Sequence, residues 1–165
     1  MKINRKKLKN QRQLVDSKLS PFLGLRDVMP NQGWLKTVRM ALGLTSAQLA
    51  KKIGTQAPGI NQFENNEVTK KATLGSLDRA ARAMNCRLVW AIVPEPGYGS
   101  LSEIVEYRAR RLAEKTVRTV DQTMKLESQG IHSEDSSKKI IELTMDLIRE
   151  GDSRIWETLD DENHG

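Results

Sequence analysis

Leu44–Asn65, LTSAQLAKKIGTQAPGINQFEN, reads as two short helices joined by a tight turn. Leu49, Ile53, Ile60 and Phe63 supply the apolar positions at helical spacing. Thr45 and Gln48 make a T-x-x-Q capping box, which gives the first helix a defined start. Gly54 stands where the chain must reverse, and glycine takes the positive φ of such a turn without a Cβ clash. Ala50 is small enough to let the two helices approach closely. Helical spacing alone also suits an αα-hairpin of some unrelated bundle. A small residue, a turn glycine and a branched apolar anchor (Ala50, Gly54 and Ile60) at these positions together favour a helix-turn-helix reader of DNA.

Working outward, Gly33–Leu42 is expected to be a helix with Leu35, Val38 and Leu42 on one face, closed by Gly43. After the motif, Thr73 is an N-cap for Leu74–Met84, whose Leu74, Leu77, Ala80, Ala81 and Met84 form a stripe. Four helices around one small core result. Cys86–Val93, CRLVWAIV, is apolar, partly β-branched and cut short by Pro94, so it is expected to be a strand. Leu88, Trp90 and Ile92 share one face. A lone strand leaves its ladder groups unpaired, and the simplest partner is the same strand of a second copy across a two-fold axis. The alternative is an extended segment packed on its own domain.

Upstream, residues 4–19 form a basic amphipathic helix with Leu8, Val15, Leu19 and Phe22 as its apolar stripe. Two readings stand: a packing helix with a solvated basic face, or an arm that follows DNA phosphates. Downstream, Ser100 and Glu103 open a long helix to about Glu127, with Leu101, Ile104, Val105, Leu112, Val120 and Met124 as its apolar side. A further helix covers roughly Glu134–Glu150 and ends at Gly151. The expected fold is therefore mainly α. It divides into a basic helix and linker at 1–32, a helix-turn-helix domain at 33–94 with the dimer strand 86–93, and an acidic helical region at 95–165.

Charge supports that division. The chain of 165 residues has a net charge of +6, but residues 1–94 carry 17 Lys/Arg against 5 Asp/Glu, whereas 95–165 carry 10 against 16. Such polarity suggests one surface for phosphate and another for a different partner. The single cysteine, Cys86, excludes an intrachain disulfide and points to a reducing cytoplasm. No signal peptide, membrane span or metal-ligand spacing is legible, so neither a membrane nor a metal is expected. There is no nucleophile–base pair, phosphate-cradling loop or carboxylate pair; no catalytic residue and no cofactor are expected.

In a DNA reader the second motif helix enters the major groove. Gln56, Ala57, Pro58, Asn61 and Gln62 then face the bases. Asn61 and Gln62 have the amide geometry for adenine, and Ala57 suits a thymine methyl. Pro58 is tolerated because it falls in the first turn. The short side chains at 57–59 leave a share of specificity to DNA shape. Ser46, Asn65, Lys70 and Lys71 are candidates for phosphate contacts.

Residues 33–84, above all GLTSAQLAKKIGTQAPGINQFEN, resemble the lambda-repressor-like (XRE) helix-turn-helix family. The resemblance implies a structural ion pair between Arg39 and Glu64. With the strand 86–93 pairing two copies, the motif becomes half of a homodimer expected on a palindromic operator. Gln56 departs from the Ser/Thr cap usual before the recognition helix. A wider resemblance, carried by QLVDSKL, GWLKTVRMALGLT, TLGSLDRAARAMNCRLVWAIVP and LSEIVEYRARRLA, is to the bacterial family called mobile mystery protein A. It implies a repressor of its own operon, bacterial, cytoplasmic and nucleoid-associated, encoded beside a Fic-domain protein in a toxin–antitoxin-like arrangement. Thr158–Asn163, TLDDEN, is similar to the inhibitory motif of Fic partners, with Thr158, Glu162 and Asn163 at its defining positions. The plainer reading of that segment is an acidic, solvated terminus.

Overall fold

A computed structural model describes residues 5–25, 28–126 and 133–157. It contains seven α-helices in these residues: α1 (Arg5–Leu19), α2 (Trp34–Ala41), α3 (Ser46–Ile53), α4 (Ala57–Val68), α5 (Leu74–Ala83), α6 (Leu101–Leu126) and α7 (Ser133–Glu150). Short 3-10 turns follow α1 at Ser20–Leu25 and α7 at Ser153–Trp156. Two units result, one of residues 24–92 and one of residues 1–23 with 93–165. The first helix thus groups with the C-terminal helices.

In the unit of residues 24–92, α2 to α5 surround a core of Leu35, Leu49, Ala50, Ile60, Ala80 and Met84. Leu49 and Ile60 are each 1% exposed, so α3 and α4 meet through their best-packed side chains. The local signals act as the sequence requires. Thr45 Oγ1 accepts from Gln48 N and Thr45 N donates to Gln48 Oε1, completing the capping box. Gly54 closes α3 in the left-handed conformation at φ 78°. Thr73 caps α5 by accepting from Ser76 N.

In the other unit, α6 packs along α7. Its buried stripe is Val105, Ala109, Ala113 and Val117, spaced by four. Side-chain size predicts burial of Val120, yet Val120 is exposed while both alanines are completely buried. Small residues let α7 approach, bringing Leu147 and Ile155 against them. Ile140, Leu143 and Ile148 of α7 are half-buried beside this cluster, and Ile141 faces outward.

The N-terminal helix is bolted to α6. The Asp16 carboxylate accepts from Leu101 N at 2.8 Å, Ser102 N at 3.2 Å and Ser102 Oγ at 2.7 Å. An anionic group at a helix N-terminus satisfies orphan N–H donors and complements the helix dipole. Ser100 adds a local cap by accepting from Glu103 N, while Glu103 reaches back to Gly99 N rather than to Ser100. The apolar stripe of α1 is half-buried at Leu8, Val15 and Leu19, which is the behaviour of a packing helix.

One expectation fails. Cys86–Val93 is not a strand, and among the described residues 87–93 make no backbone–backbone hydrogen bond. The alternation of its side chains meets the pattern of a strand, but a strand exists only with a ladder partner, and the described residues of this single chain offer none. Leu88 is half-buried, whereas Val89, Trp90 and Ile92 are 60%, 61% and 79% exposed.

Asp16→Ala should destabilise the helical unit by about 1–2 kcal/mol, the usual worth of a lost N-cap. Urea unfolding read by circular dichroism checks this. An unchanged midpoint would mean that Asp16 does not hold α6.

Candidate DNA-binding site

The site is built on α4, and α4 is held by two carboxylates that point inward. Glu64 meets Arg39 of α2 in a two-pronged pair, Arg39 Nε donating to Glu64 Oε1 at 2.6 Å and Nη2 to Oε2 at 3.1 Å. Both residues are buried, at 8% and 6% exposure. The remaining arm of the guanidinium, Nη1, donates to the Leu44 carbonyl at 2.9 Å, just before the α3 cap. One side chain therefore links α2, the entry to α3, and α4. The hydrogen bond to Glu64 raises the Arg39 pKa, against the opposing pull of burial, so the charge is secure.

Glu67, one turn further on, accepts from Trp34 N at 3.1 Å and Leu35 N at 2.9 Å, capping α2 from the side of α4. Gly33 makes room for it. A Cβ there would lie 2.6 Å from Glu67 Oε2, and φ is 81°. Sequence reasoning misses Glu67 because its partners lie more than thirty residues away; Gly33 directly before the helix is the one available hint.

With Ile60, Glu64 and Glu67 turned inward, the opposite face of α4 is fixed. Pro58, Asn61, Gln62 and Asn65 follow one another at i, i+3, i+4 and i+7, and all are exposed. Gln56, just before the helix, is exposed too, while Ala57 is half-buried. Gln56 makes no side-chain cap, as its weak capping ability leads one to expect, and Pro58 occupies the first turn. Ser46, at the start of α3, is brought to Asn61 and donates weakly to its Oδ1 at 3.4 Å. Gln62 is less free: its Nε2 donates to Asn66 Oδ1 at 2.8 Å, one turn along the same helix. Lys70 and Lys71 follow α4 and are exposed, Lys70 with a positive φ of 57°.

Electrostatics completes the surface. The three described carboxylates of this unit are all consumed internally: Glu64 by Arg39, Glu67 by the α2 N-terminus, Asp78 by Arg82. Lys51, Lys52, Lys70, Lys71 and Arg87 are exposed and have no ion-pair partner among the described residues. The surface charge of these helices is therefore positive, as a phosphate backbone requires. No group of three metal-ligating side chains occurs among the described residues, and no described helix is long and apolar enough to cross a membrane.

This arrangement, a capped helix, a glycine turn and a second helix presenting amides beside lysines with no ion-pair partner among the described residues, is a helix-turn-helix. The helix-turn-helix family model HTH_3 matches residues 35–90, which supports a DNA-binding regulator. No curated protein and no solved structure matches the chain.

Arg39→Met and Glu64→Leu should each cost about 3–5 kcal/mol, because either leaves a buried charge unpaired. The double variant should lose far less than the sum. Strict additivity in urea unfolding would show that the pair does not couple the helices.

Proposed function

We propose that this chain is a sequence-specific transcriptional repressor that binds a palindromic operator as a homodimer in the bacterial cytoplasm and carries no enzymatic activity of its own. The observation that carries the DNA reading is the outward face of α4, Pro58, Asn61 and Gln62 exposed with Gln56 just before them, beside cations that no carboxylate neutralises among the described residues. Asn61 is the principal base reader, since its only described side-chain contact is a weak one to Ser46. Gln62 reads bases after exchanging its bond to Asn66 for one to DNA. Ser46, Asn65, Lys70 and Lys71 position the duplex through phosphates.

The homodimer reading rests on Leu88, Trp90 and Ile92, which alternation places on one face. Trp90 and Ile92 are exposed, and among the described residues the backbone of 87–93 has no ladder partner. Antiparallel pairing with the same segment of a second copy would satisfy both at once.

The resemblance to mobile mystery protein A supports the finer reading, an antitoxin that represses its own operon and restrains a neighbouring Fic-domain protein. The acidic balance of residues 95–165 suits a surface for a protein partner. Thr158, Glu162 and Asn163, the residues similar to a Fic-inhibitory motif, lie outside the described residues. A second reading, in which restraint of the partner is the main activity and DNA binding is subsidiary, draws on the same acidic region.

Asn61→Ala should weaken binding to the DNA upstream of its own gene by about 1–3 kcal/mol, with little effect on random DNA or on folding. Fluorescence anisotropy measures both, and equal losses on the two DNAs would refute base reading. Trp90→Asp should reduce the solution mass from that of a dimer to that of a monomer. A mass unmoved by the substitution would dispose of pairing through this segment.

A further inference from the structure

Within the unit of residues 1–23 and 93–165, α1, α6 and the Ser153–Trp156 turn enclose a groove of about 600 Å³ that DNA reading does not use. Its walls are Leu8 and Val15 of α1, Leu101 and Ile104 of α6, and Ile155 and Trp156. The volume falls in the range of small-molecule sites, which are concave, mostly apolar and carry few polar groups. The groove is held open by fixed parts. Asp16 ties α1 to the start of α6, Ile155 is anchored in the core, and the Arg108 guanidinium lies 4.8 Å from the centre of the Trp156 ring.

The charges on its lining decide what it takes. Asp152 is already engaged, its carboxylate accepting from Arg154 Nη2 at 2.6 Å and Arg154 N at 2.9 Å. Asp16, beside the groove on α1, is committed to the α6 N-terminus. Gln11 and Ser153 are neutral. Arg12 is the exception: a half-buried cation on the lining with no hydrogen bond or ion pair among the described residues. A guanidinium at the edge of an apolar groove, where water is partly excluded, favours a carboxylate partner that it can bind through two parallel N–H donors.

We infer that this groove binds a small anionic amphiphile, a monocarboxylate whose apolar body lies against Val15, Ile104 and Trp156 while Arg12 holds its charge. The groove belongs to the unit that does not carry the DNA-reading helices, so its occupation is measured without DNA.

Trp34 and Trp90 are largely exposed, and replacing both by Phe leaves Trp156 as the sole tryptophan of the full chain. Decanoate, titrated below its micelle concentration, should change Trp156 emission saturably with one site per chain. Decanol and decyltrimethylammonium, which share the apolar body but lack the negative charge, should bind about 10-fold more weakly or not at all. Arg12→Met keeps most of the apolar stem and should weaken decanoate by a similar factor, whereas Arg12→Lys should retain part of the affinity. Circular dichroism of each variant confirms that the helices are intact. Absence of saturable binding, or equal affinity for decanoate and decanol, would overturn the inference. So would an Arg12→Met variant that is folded and binds decanoate as tightly as the parent. A Trp156 signal that tracks protein concentration rather than decanoate would assign the groove to a second copy of the chain and equally refute it.

Discussion

The buried pair between Arg39 and Glu64 is the constraint on which the reading surface depends. Pairing these two charges away from water is costly unless every donor and acceptor is used. Here the guanidinium spends two arms on Glu64 and one on the Leu44 carbonyl. That stoichiometry fixes the rotation of α4 about its own axis. With Glu64 inward, Asn61, Gln62 and Asn65 have nowhere to face but solvent. The same bond anchors the turn that leads into α3, so the angle between the two motif helices is set from outside the motif, by a residue of α2.

Charge is distributed by the same economy. Glu64 and Glu67 are the two carboxylates of α4, and both have structural roles, one closing the arginine pair and the other capping α2. A DNA-facing helix that displayed either would repel phosphate. Their internal engagement leaves the neutral amides of α4 flanked by lysines, which gives non-specific attraction to the backbone without masking the base-reading side chains. In the other unit the carboxylates serve differently, Asp16 as a cap across 85 residues of sequence and Asp152 as a partner for Arg154.

Much of this is legible in the residues because it is local. The Thr45–Gln48 box, the turn at Gly54, the Thr73 cap and the weak cap at Gln56 each depend on neighbours within four positions. The Arg39–Glu64 pair is reached only through the family resemblance, since nothing in the spacing of two charges 25 residues apart declares it. Contacts of long range are not legible at all. Neither Asp16 nor Glu67 carries a local signal that announces a helix cap, because each caps a helix distant in sequence. The α6 stripe escapes a reading by side-chain size, because close helix packing selects alanine at positions 109 and 113. Cys86–Val93 shows the opposite limit: its side-chain alternation is that of a strand, but pairing is a property of two segments and cannot be read from one.

Methylation interference on the DNA upstream of the chain's own gene tests the central claim, that α4 reads bases from the major groove with the orientation Arg39 imposes. Methylation at guanine N7 marks the major groove alone. Interference is expected in two patches on one face of the duplex, about one helical turn apart or a multiple of it. Sequence-specific binding that is indifferent to N7 methylation throughout its protected region would contradict it.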